Sequence, residues 1–161
     1  MYPEIRTLLN EAEQQYLQPP EIETFKHHVL SISTRLEAYQ LLRDNELSIF
    51  QPIADQLLTT FPQDQPENLE RGLKHWLSVM RYCGMAMLLN NPEFFQRRLL
   101  EWLTDLVQVH QTQAIDMTIY QLLQVRLPEF LSCEHMALVQ PFLAQAEETL
   151  LGTGKLAQLP R

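Results

Sequence analysis

Residues 68–89 read NLERGLKHWLSVMRYCGMAMLL, and the character of this stretch changes halfway along. In its first half Leu69, Leu73, Trp76, Leu77 and Met80 recur on one helical face. Glu70, Arg71, Lys74, His75, Ser78 and Arg81 occupy the other. This pattern predicts a half-buried amphipathic helix. From Tyr82 to Leu89 every side is apolar or small. That half should cross the centre of a domain, with Gly84 allowing close backbone approach. Trp76 and the methionines read as core. Cys83 reads as an inert buried thiol, because an apolar setting disfavours the thiolate. His75 lies beside Arg71 and Ser78 and reads as a solvated histidine, with a ligand contact as the alternative.

Outward from this helix, prolines mark most boundaries. The loop PQDQPEN, 62–68, precedes it and NNPEFF, 90–95, follows. There Asn91 is a candidate cap and Pro92 a first-turn residue. Phe94, Phe95, Leu99, Trp102, Leu103 and Leu106 should then line one face of the next helix. Two shorter helices are expected near 113–127 and 133–151. Toward the N-terminus a helix is expected around PIADQLLTTF, 52–61. Before it a long one starts at Pro20, with Ile22, Phe25, Val29, Ile32, Leu36, Tyr39 and Leu42 at steps of three and four. The first helix, within 1–19, carries Ile5, Leu8, Leu9, Ala12 and Tyr16 and ends at Pro19 and Pro20, which lack amide donors. No strand pattern or repeat is visible. The reading is all-α: one domain over 1–152 and a tail over 153–161.

The totals agree. The chain has 161 residues, which suits one core, and is 45% apolar with only 4 glycines. A net charge of −8 argues against extended nucleic-acid contacts, which need a basic surface. No apolar run approaches the roughly 20 residues that span a bilayer, so a membrane-spanning role is not expected. The opening MYPEIRTLLNEAEQQ has no signal-peptide pattern, which implies a reducing compartment and free thiols at Cys83 and Cys133.

No catalytic constellation appears: there is no glycine-rich phosphate loop, HExxH motif or Ser-x-Gly elbow. The chain therefore reads as a non-enzyme. Adjacent His27 and His28 diverge on a helix and cannot chelate together, and Glu147 and Glu148 form a solvated pair. In SCEH, 132–135, Ser132 is placed to cap a helix with Cys133 in its first turn, where the helix dipole favours a thiolate.

Two stretches resemble the phycobilisome proteins, the α and β subunits of allophycocyanin and phycocyanin. AEQQYLQPPEIETFKHHV, 12–29, is similar to the family's opening: an Ala-Glu pair, Tyr-Leu, a spacer, Pro and an acidic residue before a long helix. HWLSVMRYCGMAMLLNNPEF, 75–94, is similar to its central helix, where paired aromatics and Leu lead to a Tyr at Tyr82. The similarity extends over roughly residues 1–152 in helix order and length. It implies a globin-like helical domain with an extra N-terminal helical hairpin, which in the family joins α and β subunits.

The departures bear on function. The family attaches an open-chain tetrapyrrole to a cysteine in a Cys-x-Arg-Asp pattern. Alignment from Tyr82 puts Leu69 at that cysteine and Gly72 at the aspartate that bonds the pyrrole nitrogens. Arg71 matches the arginine that contacts a propionate. The preceding loop is also shorter than the family's. No covalently bound pigment is therefore expected, and apolar side chains should fill its place. Cys133 lies near a second bilin cysteine of some phycocyanin-type β subunits but lacks that cysteine's longer loop.

The resemblance thus implies a pigment-less protein acting by protein–protein contact in phycobilisome assembly, turnover, regulation or structure. Its partner would be a phycobiliprotein subunit or a second copy in a homodimer, met through Ile5, Leu8, Leu9, Tyr16, Ile22 and Phe25. Its place would be a cyanobacterial cytoplasm, at the thylakoid surface. The alternative is a non-covalent bilin or haem carrier or sensor, with Arg71 and His75 gripping propionates or a metal.

Overall fold

The computed structural model describes residues 2–152, and the expected tail over 153–161 lies outside them. The helices are α1 (Pro3–Ala12), α2 (Pro19–Asp44), α3 (Glu46–Thr60), α4 (Pro66–Leu89), α5 (Pro92–Phe95), α6 (Glu101–His110), α7 (Gln113–Arg126) and α8 (Cys133–Leu150). A π-helical turn, Gln96–Leu100, joins α5 to α6, and a 3-10 turn, Leu127–Glu129, follows α7. Among the described residues there is no strand, so the expected all-α, globin-like class holds.

α4 is the central element, packed against α2, α3, α7 and α8. Its second half is buried on one side and only half-covered on the other: Cys83, Ala86 and Met87 are fully buried, whereas Tyr82, Met85, Leu88 and Leu89 are half-buried, so the expected all-round burial holds in part. Gly84 faces Tyr39, and a Cβ at Gly84 would lie 3.3 Å from that ring. The end of α4 is stopped locally by Asn90, in the left-handed region at φ 46°. Its last carbonyls are also satisfied from afar. Arg35 of α2 donates to Met87 O at 2.7 Å, and the Tyr2 hydroxyl donates to Leu88 O at 2.6 Å. Pro92 then opens α5, and the Asn91 side chain accepts from Phe94 N at 3.1 Å.

Some boundaries differ from the sequence reading. α1 stops at Ala12, leaving Tyr16 in the connecting segment. Gln18, which precedes a proline, is extended and caps α2 at Pro19, so the chain must leave the helix before it. α3 begins at Glu46 and carries Pro52 in its interior. Pro52 cannot donate to the carbonyl of Ser48; Arg126 donates to that oxygen instead, at 2.9 Å.

The π turn rotates the helix that follows it. Phe95, Leu99, Leu100 and Leu103 are fully buried, whereas Trp102 is 46% exposed and Leu106 also faces outward. A regular helix would have kept Trp102 and Leu106 on the apolar face; the extra residue in the turn shifts the register.

Candidate functional site

The positions aligned with the pigment linkage lie in the first half of α4, where Gly72 faces α7. Leu69 is buried among the core residues. Gly72 is covered by α7: a Cβ there would stand 2.9 Å from Ile115 Cγ2, 3.2 Å from Ile119 Cδ1 and 3.7 Å from Asp116 Oδ1. Arg71 is half-buried and donates to Asn68 Oδ1 at 3.3 Å.

Below Gly72 is a polar cluster that the sequence reading missed. Asp116 is 1% exposed and accepts from Trp76 Nε1 at 3.1 Å and Thr112 Oγ1 at 2.7 Å. Burial pushes its carboxyl up to about 6, against the pull of the hydrogen bonds from Thr112 and Trp76. The Trp76 ring lies 5.7 Å from that of Tyr120, whose hydroxyl donates to Glu147 Oε2 at 2.8 Å. Burial, with Glu147 beside it, pushes the Tyr120 phenol up to about 12. One signal could have found Asp116: it interrupts the apolar face of Ile115, Ile119 and Leu123, and a carboxylate there needs buried donors.

His75 is half-buried rather than solvated, because its neighbours close over one side. Its Nδ1 is buried without a hydrogen-bond partner. Desolvation pushes its pKa down, and His110 and Arg71 push the same way. Among the described residues no group of three or more His, Cys, Asp or Glu side chains is placed to hold a metal ion. Cys133 is exposed at the start of α8, where Ser132 Oγ accepts from His135 N at 3.2 Å. Cys83 is fully buried, and desolvation pushes its thiol well above the ordinary range.

The second candidate surface is the N-terminal hairpin. Leu8 must be removed from the expected stripe: it is only 8% exposed, closed over within its own chain, since α1 packs on α2. Ile5 is half-buried. Leu9, Ile22, Phe25, Val29, Ile32 and Leu36 remain exposed, and Tyr16 is 96% exposed. The steps from Ile22 to Leu36 alternate three and four, which keeps one continuous seam along α2. His28 is buried beside it, paired with Glu4 and 5.9 Å from the Tyr2 ring.

Fold and sites together define a globin-like helical protein with an N-terminal hairpin and a long central helix. A family model described as "Phycobilisome protein" matches residues 8–150, and the chain belongs to the phycobilisome protein family. No match was found among curated proteins. The family's members are structural light-harvesting proteins that assemble into oligomers and normally bind bilins covalently. No helix among the described residues is long and apolar enough to cross a membrane.

Proposed function

We propose that this chain is a pigment-less phycobilisome protein that acts by contact with other proteins, without catalysis, in the assembly, turnover, regulation or structure of phycobilisomes in a cyanobacterial cytoplasm. The observation that carries this reading is the closure of the pigment position. Leu69 offers no thiol, and Ile115 stands 2.9 Å from any Cβ at Gly72. These residues do not suit a covalently held bilin whose pyrrole nitrogens need a carboxylate at that place. Asp116 does not replace it, because its oxygens are already engaged by Trp76 and Thr112.

The partner is a phycobiliprotein subunit or a second copy, met through the α2 seam with Leu9 and Tyr16. Fully burying an exposed apolar side chain contributes roughly 1.5–3 kcal/mol. Five half-exposed side chains on α2 contribute less each, against a docking cost of about 4–15 kcal/mol. Tyr16 and Leu9 are therefore needed to carry the balance. The experiment is intact mass after co-expression with bilin synthesis and lyases, followed by capture of purified phycobiliprotein subunits. The bare polypeptide mass with captured subunits is expected; an added bilin mass would overturn the pigment-less reading.

A second reading rests on His75. A buried Nδ1 without a partner, next to Arg71 and near His110, suits a non-covalent tetrapyrrole propionate. Titration with haem and with free bilin separates the two: a saturable absorbance change lost in His75→Ala favours the carrier.

A further inference from the structure

Between the C-terminal end of α2, the start of α3 and the second half of α4 lies a cavity of about 360 Å³, open to solvent on one side. On α4 its lining begins at Met80, about 12 Å further along the helix than Gly72 at the helical rise, and α2 and α3 supply its other walls. Its floor is apolar: Leu42, Ile49, Phe50 and Met80 are all buried residues that line it. Tyr39 and Gly84 form one wall, and the missing side chain of Gly84 keeps that wall thin. Protein interiors are packed with few voids larger than a water molecule, whereas small-molecule sites begin near 300 Å³. This volume belongs with the second group.

The mouth is polar and lined by Arg43, Arg81 and Glu46. Arg81 donates through Nε and Nη2 to the Glu46 carboxylate at 2.8 and 2.6 Å, which fixes its guanidinium against another lining residue. Arg43 donates through Nε to Asp44 at 2.7 Å. Among the described residues, Nη1 of Arg81 and both terminal nitrogens of Arg43 have no hydrogen-bond partner. The two guanidiniums are thus held in place by carboxylates that leave donors unused. Two guanidiniums here balance two carboxylates, so on a chain of net charge −8 the mouth is locally neutral and keeps N–H donors to spare. Glu46 and Asp44 would repel a dianionic head, so a single negative charge fits best.

We propose that this cavity binds a monocarboxylate with a flexible apolar chain, such as a medium-chain fatty acid. The chain lies against Leu42, Ile49, Phe50 and Met80, and the carboxylate takes the unused donors of Arg43 and Arg81. The site is independent of the pigment position and of the reading offered above.

The test is calorimetric titration of the whole chain with dodecanoate, held below its micelle concentration. One saturable site per chain is expected. Dodecanol, of equal length but uncharged, should bind about tenfold or more weakly, and so should dodecanoate to the double variant Arg43→Gln, Arg81→Gln. Both arginines are largely exposed, so circular dichroism of that variant should match the wild type. Leu42→Trp, which fills the floor, should abolish binding. Absence of a saturable heat, equal affinity for the alcohol, or undiminished binding to the double variant would each overturn the proposal.

Discussion

The hydroxyl of Tyr2 donates to the carbonyl of Leu88 at 2.6 Å, across 86 positions of sequence. Arg35 does the same for Met87 at 2.7 Å. The last carbonyls of a helix have few partners within it; at the end of α4 these two donors add to the backbone bonds from Asn90 N to Met87 O at 3.1 Å and from Asn91 N to Ala86 O at 2.9 Å. The N-terminal segment is thereby tied to the domain's central helix.

Tyr2→Phe removes one donor and leaves a partly buried carbonyl unpaired. The expected loss is about 1 kcal/mol, or about 2–4 °C in Tm for a chain of this size. Arg35→Met should cost more, since a charged donor is lost. Thermal unfolding followed by circular dichroism measures both.

Gly72→Ala should destabilise the fold although alanine is the better helix former by about 1 kcal/mol. The new methyl would meet Ile115 Cγ2 at 2.9 Å, and a β-branched side chain on a helix has no free rotamer to swing into. Overpacking of this kind costs roughly 1–3 kcal/mol. Urea unfolding of Gly72→Ala should therefore show a lower midpoint than the wild type. An unchanged or higher midpoint would mean that α7 yields and that the pigment position is not closed.

Asp116 makes stability depend on pH. Its folded carboxyl sits at about 6, above the ordinary carboxyl value of 3.8, so the folded state holds its proton more tightly than the unfolded chain. Its stabilising contribution is full below about pH 4 and is lost as pH rises through about 6. Two pH units correspond to at most about 3 kcal/mol. Asp116→Asn keeps an oxygen for Trp76 and does not ionise. The stability difference between wild type and Asp116→Asn, measured by urea unfolding, should shift against the wild type between pH 4 and 7. A constant difference would show that Asp116 does not titrate there.

Leu8→Asp and Phe25→Asp should behave differently. Leu8 is enclosed by its own chain, so a charge there should lower Tm. Phe25 is 39% exposed on the α2 seam, so Phe25→Asp should keep helicity and lose association with the partner or second copy. Light scattering with circular dichroism reads both. A Phe25→Asp variant that associates as well as the wild type would remove α2 from the interface.

The two thiols should separate cleanly. Cys133 is exposed and should be alkylated under native conditions, while Cys83, fully buried, should react only on unfolding. Mass spectrometry after native and denaturing labelling checks this.

Much of the architecture was legible along the chain. The Asn91 cap with Pro92 and the Ser132 cap mark the starts of α5 and α8 because their backbone restrictions and side-chain hydrogen bonds act within a few residues, whereas Pro66, read as loop, is the first residue of α4. The change from a one-sided to an all-round apolar pattern at Tyr82 pointed to the centre of the domain, where Cys83, Ala86 and Met87 are fully buried, although Tyr82, Met85, Leu88 and Leu89 stay half-covered. Tertiary structure decided what depends on side chains meeting across the fold. Leu8 and Leu9 are adjacent and equally apolar, yet only Leu8 is covered by its own chain. Pro52 sits inside a helix because Arg126, far along the chain, supplies the donor that Ser48 would otherwise lack. Asp116 is tolerable in the core only because Trp76 and Thr112 reach it, and Trp102 faces outward because a π turn shifts the helix by one residue. Local rules specify where helices begin and end; which faces are covered, and which polar groups find partners, is settled only when the helices pack.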